Sequence, residues 1–78
     1  MGDDLRARFK AAAVETRDLR RRWYAGEEVQ EAMHDAAKRA CALYNDLRVE
    51  VATKTGISPG PRMTWERFMR SVDMMRLD

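Results

Sequence analysis

Apolar residues recur every three or four positions along three stretches of the chain, and this spacing places side chains on one face of an α-helix. The longest stretch, residues 28–55, carries the series Val29, Met33, Ala36, Ala37, Ala40, Leu43, Tyr44, Leu47 and Val51. Its alanines leave little side-chain volume, so a second helix can approach closely, toward the short end of the usual distance of about 8–10 Å. The pattern therefore predicts a central helix with the rest of the chain packed against it.

The first stretch repeats its apolar positions with a heptad spacing and predicts a helix over about residues 4–24. The series is Leu5, Phe9, Ala12, Thr16, Leu19 and Trp23, with one polar interruption at Thr16. Gly26 follows, and glycine readily takes the left-handed conformation that ends a helix. The next residues are acidic, as expected for the first turn of a new helix. We therefore predict an antiparallel hairpin with its turn at Gly26 and a second helix over about residues 27–55.

One continuous helix is the competing interpretation, because the first heptad continues without a break through Gly26 and Gln30 to Val51. Such a helix, from about residue 3 to residue 55, would be roughly 80 Å long and would need a coiled-coil partner. Against it, Gly26 and Gln30 would occupy consecutive core positions, and a glycine inside a helix costs about 1 kcal/mol. The hairpin is the interpretation we favour.

The third stretch lies near the C-terminus and predicts a short helix over about residues 64–77. The segment Ser58-Pro59-Gly60-Pro61 before it cannot be helical, which predicts a loop over residues 56–63. Thr64 suits the N-cap of this helix. Its apolar stripe consists of Trp65, Phe68, Val72 and Met75. The predicted fold is all-α, an antiparallel helical hairpin plus a short C-terminal helix.

The whole chain of 78 residues makes a single domain, and a domain of this size buries only about 60% of the surface of its unfolded chain. Small domains usually add a disulfide, a metal or a partner to their core. Cys41 is the only cysteine, and one histidine with one cysteine cannot supply the four ligands of a structural zinc site. A partner chain remains, so we expect a homodimer. The lone cysteine and the lack of an apolar run of about 20 residues predict a cytoplasmic protein without a membrane span.

The net charge of +2 hides an uneven distribution. Residues 1–25 hold seven basic and four acidic residues, whereas residues 26–56 hold four basic and six acidic ones. Basic groups can neutralise phosphates, and an aromatic ring beside them can stack on a base. Such an Arg-rich face on the first helix consists of Arg17, Arg20, Arg21 and Tyr24. It makes a small DNA- or RNA-binding regulator the alternative function.

No set of residues converges on a catalytic chemistry, and we expect neither an enzyme nor a cofactor. His34 and Cys41 lie seven positions apart on one helix, about 10 Å, which is too far for a hydrogen-bonded pair. Glu31 and His34 form one Glu-x-x-His motif, whereas helical di-metal sites need this motif from two helices. We therefore expect no metal site.

The C-terminal stretch is the candidate for partner binding, because one short helix cannot bury all of its large apolar groups. Trp65, Phe68 and Met69 are the predicted anchors, and Arg67 and Arg70 are the predicted polar rim. The favoured hypothesis is a small non-enzymatic interaction protein that binds a larger protein. Very short proteins of this type often serve as inhibitors or adaptors, including those that phages and other mobile elements encode, so the hypothesis includes a viral protein.

Overall fold

Two long antiparallel helices and a short C-terminal helix make up the fold. The computed structural model describes the backbone of residues 2–77 and the side chains of residues 4–77. The elements are α1 (Gly2–Tyr24), α2 (Gln30–Thr55), α3 (Trp65–Ser71) and a 3-10 turn (Val72–Met74). α1 packs along α2, and α3 packs on α2. The longest dimension of the described part is 44 Å, about half the length of the continuous rod, so the hairpin is confirmed and the rod is excluded.

The turn between the long helices is a Schellman motif centred on Gly26. Gly26 has a φ of 96°, and its N–H donates to the carbonyl of Trp23 at 3.0 Å. The N–H of Glu27 donates to the carbonyl of Arg22 at 3.1 Å, which completes the motif. The Glu27 carboxylate also binds the Arg22 guanidinium at 2.9 Å. Because Glu27 is committed to closing α1, α2 begins at Gln30 and not at residue 27 as predicted.

The second long helix ends at Thr55, as predicted. Gly56 takes a φ of 73°, and the N–H of Ile57 donates to the carbonyl of Ala52 at 3.2 Å. Left-handed glycine and this backbone bond are what stop the helix. Although α2 has 26 residues, neither it nor any other helix within residues 2–77 is long and apolar enough to cross a membrane.

Contacts at the two ends of the hairpin show that the long helices run antiparallel. Near the free end, Phe9 meets Tyr44 with ring centroids 5.7 Å apart. Near the turn, Leu19 and Met33 are buried in one cluster. The helices approach each other between these contacts through small buried side chains: Ala12, Ala13, Ala36, Ala37 and Ala40. The alanines predicted to lie between the helices are thus buried there.

Thr16, the polar residue in the heptad of α1, is fully buried. Its hydroxyl donates to the carbonyl of Ala12 at 2.8 Å, so its buried oxygen has a partner within the same helix. This bond explains how a polar side chain occupies a core position.

The C-terminal segment lies across the hairpin and closes its core. The hydroxyl of Thr64 accepts the N–H of Arg67 at 3.3 Å, which confirms the predicted N-cap. The helix then ends at Ser71 and not near residue 77. The backbone becomes extended at Met75, and this change of direction returns Leu77 to the main buried cluster, which a continued helix would not do.

Candidate interaction surface

The predicted partner-binding anchors of the C-terminal segment mostly face the chain itself. Phe68 has an exposed fraction of 0%, so it is a core residue and offers no surface to a partner in this fold. Trp65 is half-buried, with its ring 5.0 Å from the ring of His34 and 5.2 Å from the Lys38 ammonium. Met69 is half-buried against the apolar cluster near the turn. The apolar stripe of α3 therefore serves mainly to close the fold, which corrects its predicted use as an exposed anchor set.

Arg67 and Arg70, the predicted polar rim, are exposed on the outer side of α3. The Nε of Arg70 donates to the backbone carbonyl of Glu66, at 3.5 Å. With Phe68 turned inward, these two arginines do not surround an apolar centre. A rim without such a centre contributes little binding energy.

The arginines of the Arg-rich face of α1 differ in burial and in their partners. Arg20 is 7% exposed, and its Nε donates to the carboxylate of Asp73 at 3.1 Å. Its Nη2 donates to the hydroxyl of Tyr24, and its guanidinium lies 5.1 Å from the centre of the Tyr24 ring. Arg21 is exposed, whereas Arg17 is half-buried and its Nε has no hydrogen-bond partner among the described residues. Arg20 is therefore a structural cation, and its predicted role as a phosphate ligand is wrong for this fold.

Three large, exposed apolar side chains are linked to this same arginine through its partners Tyr24 and Asp73. Trp23 and Tyr24 lie with ring centroids 5.4 Å apart and are 40% and 62% exposed. Met74 follows the Asp73 that binds Arg20, and it is 88% exposed. We call Trp23, Tyr24 and Met74 the aromatic end. Sequence reasoning missed this surface, because it depends on the fold: Asp73, the neighbour of Met74, binds Arg20 from 53 positions away.

A cleft of ≈ 680 Å³ opens beside the aromatic end. Trp23 forms one wall, and the start of α2 forms the other. The residues that line the cleft are Trp23, Glu27, Glu28, Gln30, Glu31, His34, Asp35 and Lys38. Four of them are carboxylates, so we call it the acidic cleft. Within the described residues no group of three or more histidine, cysteine or acidic side chains is arranged to hold a metal ion.

The loop before α3 is held to α2 by side chains that sequence reasoning missed. Asn45 is buried, and its Nδ2 donates to the carbonyl of Met63 at 3.0 Å while its Oδ1 accepts the N–H of Met63 at 2.9 Å. Arg48 donates to the carbonyl of Pro61 at 2.9 Å and also to the carbonyl of Pro59. These bonds satisfy loop carbonyls that no helix or strand pairs, and they fix the position from which α3 starts.

Cys41 belongs to the same region and is not a reactive nucleophile. Its thiol donates to the carbonyl of Met63 at 3.1 Å, and the residue is 4% exposed. Burial raises the pKa of this thiol, which favours the neutral form over the reactive thiolate. The ring of His34 packs against the ring of Trp65, and the structure shows no Cys–His pair.

We expect the native protein to react with a thiol reagent such as DTNB at pH 8 roughly 10-fold or more slowly than the same protein in guanidinium chloride. The reason is that the reagent needs both access to Cys41 and its thiolate form. The release of thionitrobenzoate measures both rates. Equal rates in the native and unfolded states would show that the Cys41 thiol is open to solvent.

These contacts support an interaction surface at one end of the bundle, formed by the aromatic end and the acidic cleft. Comparison of the chain with models of known protein families, with curated proteins and with solved structures found no match, so the case for its function rests on the residues of this surface.

Proposed function

We propose that this protein is a non-enzymatic interaction protein that binds a larger protein through its aromatic end, as an inhibitor or adaptor of the kind that phages and mobile elements encode. The observation that carries the proposal is the exposure of Trp23, Tyr24 and Met74, while Tyr24 and the neighbour of Met74, Asp73, both bind the buried Arg20. The fold buries Phe68 and half-buries Trp65, yet it leaves these three side chains open. Aromatic residues, methionine and arginine are enriched at the centres of protein interfaces.

The aromatic end is also held in place before any partner arrives. Tyr24 is fixed by its hydrogen bond to Arg20, and Arg20 is fixed by Asp73. A side chain that is already ordered loses less conformational entropy when it binds, and this loss is about 0.5–1.5 kcal/mol for each flexible side chain that a partner immobilises. The network therefore favours binding by Tyr24 over binding by an unsupported surface tyrosine.

Nucleic-acid binding is the competing hypothesis, and the geometry weakens it. Asp73 neutralises Arg20, and the hydroxyl of Tyr24 is already bonded to that guanidinium. Only Arg17 and Arg21 of the predicted face remain to meet phosphates, which would give weak, strongly salt-dependent binding. A raised ratio of absorbance at 260 and 280 nm in the purified protein, removed by a nuclease, would favour this hypothesis over ours.

The proposed function is tested by truncating the aromatic end. A partner is captured from the native host with the immobilised chain, identified by mass spectrometry and purified. Trp23→Ala and Tyr24→Ala are each expected to weaken its binding by about 30-fold or more, since truncating an interface anchor typically removes about 2 kcal/mol. Isothermal titration calorimetry measures the affinities.

Val49→Ala and Ile57→Ala are the matched controls, because these exposed apolar residues lie in the last two turns of α2 and just after it, away from the hairpin turn. We expect them to change the affinity by less than about threefold, as surface substitutions outside an interface do. Circular dichroism establishes that every variant keeps its helix content. If the two aromatic variants bind like the wild type, the aromatic end is not the binding surface and the proposal fails.

A further inference from the structure

We infer that, in the free protein, a second copy of this chain covers the aromatic end in a two-fold symmetric dimer. In this dimer the acidic cleft of each copy faces the basic side of α1 in the other copy. The inference rests on the proposed function, because the second copy covers the surface that is proposed to bind the larger protein. The larger protein must therefore compete with the second copy for this surface. The basic side of α1 is defined by Arg17 and Arg21.

The surface at this end is ordered from acidic to aromatic to basic. At 3.6 residues per turn, Tyr24 lies about 100° around α1 from Trp23, and Arg21 lies about 60° further on in the same direction. Trp23 itself forms the wall of the acidic cleft. Moving around α1 from the cleft, one therefore meets Trp23, then Tyr24, and then Arg17 and Arg21.

This order is what a symmetric interface requires. In a two-fold dimer the same patch of both copies meets, so residue i of one copy contacts residue j of the other, and j contacts i. With the axis near Tyr24, rotation by 180° places the acidic half of one surface over the basic half of the other. The aromatic rings then meet at the centre, where they exclude water.

Glu31 and Asp35 on the acidic side and Arg21 on the basic side are exposed and can make these contacts. Within the chain, the ion pairs of the described residues include Glu27 with Arg22, but none includes Glu31, Asp35 or Arg21. Unpaired charges of opposite sign therefore flank the aromatic residues on either side. Complementary charges of this kind select the partner and its orientation.

The size of the core gives an independent reason for a partner. Five of the eleven buried apolar residues are alanines, which contribute little apolar surface each. A single core in a chain of this length supplies only about 3–5 kcal/mol. A dimer that covers Trp23 and Tyr24 buries these two aromatic side chains of each copy, in addition to the apolar residues buried in the core of the single chain.

The test uses opposite charge reversals on the full chain. Arg21→Glu places a carboxylate on the basic side of the patch, whereas Glu31→Arg places a guanidinium on its acidic side. Each variant alone is expected to dimerise at least about tenfold more weakly than the wild type, because two like-charge contacts replace two favourable ones. An equimolar mixture of the two variants is expected to recover the dimer, since both contacts in the mixed pair are again between opposite charges.

Sedimentation equilibrium measures the association of the wild type, of each variant and of the mixture, starting from the chain mass of 9.1 kDa. Arg67→Glu is the matched control, because it makes the same charge change on the exposed outer side of α3 and is expected to leave the dimer intact. Circular dichroism checks the fold of each variant. The wild-type dimer alone gives a second readout, since raising the salt from about 0.05 M to 0.5 M is expected to weaken it by screening the charges.

Two results would overturn the inference. One is a wild-type chain that stays monomeric at concentrations of about 100 μM. The other is a dimer whose strength is unaffected by both reversals and by salt, which would place the interface elsewhere on the chain. Neither result decides the proposed function, because that is tested separately through the effect of Trp23→Ala on the larger protein.

Discussion

Replacing Phe68 with alanine is expected to lower the free energy of unfolding by about 3–5 kcal/mol and to detach the C-terminal segment from the hairpin. Phe68 is fully buried, with its ring centroid 6.1 Å from that of Phe9 on α1 and 6.2 Å from that of Tyr44 on α2. Truncation leaves a cavity where three elements meet, and a helix as short as α3 cannot persist without that contact. Urea unfolding followed by circular dichroism measures the change.

Val49→Ala is the control for this experiment, because it removes an apolar side chain that lies outside both the core and the aromatic end. Val49 is 53% exposed, so its loss is expected to change the unfolding free energy by no more than about 0.5 kcal/mol. A Phe68→Ala variant that unfolds at the wild-type urea concentration would show that α3 is not docked through this residue. It would also restore Phe68 as a candidate anchor for a partner.

Asn45→Ala is expected to destabilise the fold by about 1–3 kcal/mol, because it leaves the N–H of Met63 without its partner and leaves the Met63 carbonyl with the weaker Cys41 thiol donor. The amide of Asn45 bonds to both of these groups, at 2.9 and 3.0 Å. The Asn45→Asp variant distinguishes the contributions of the two hydrogen bonds. Its carboxylate can still accept the N–H of Met63 but faces the carbonyl without a proton to donate, so this variant is also expected to be less stable than the wild type.

Asp46→Ala is the matched control for both Asn45 variants, since Asp46 is the exposed neighbour on the same helix. Its expected effect lies within about 0.5 kcal/mol. Thermal melting compares the proteins, and hydrogen exchange of the Met63 amide reports directly on the bond to Asn45. If Asn45→Ala melts with the wild type while the Met63 amide remains protected, the two bonds do not hold the loop.

The hairpin could be predicted from the chain because its signals are local. The apolar spacing of α1 and α2 depends on near neighbours, and Gly26 ends α1 by the left-handed conformation that glycine adopts easily. Because the heptad spacing continues through Gly26, the spacing alone could not exclude one continuous helix. That ambiguity is settled by the N–H groups of Gly26 and Glu27, which bond back into the last turn of α1.

The candidate interaction surface could be predicted only in part, because its residues are brought together over long sequence distances. Arg20 sits on a basic stripe of α1, yet its partner Asp73 lies 53 positions away. A stripe such as that of Trp65 and Phe68 has the same spacing whether it faces a core or a partner. Asn45 looked like an ordinary polar helix residue, since its role depends on where a loop 18 positions later passes.

The two tryptophans occupy separate environments, and this gives the protein two intrinsic fluorescence reporters. Trp65 is covered by His34 and Lys38 of α2, so its emission depends on whether the C-terminal segment is docked. Trp23 stands partly in solvent at the other side of the acidic cleft, so its emission depends on what covers the aromatic end. Replacing either one with phenylalanine leaves a single emitter. Docking of the C-terminal segment is then followed in the variant that keeps Trp65. Binding at the aromatic end is followed in the variant that keeps Trp23.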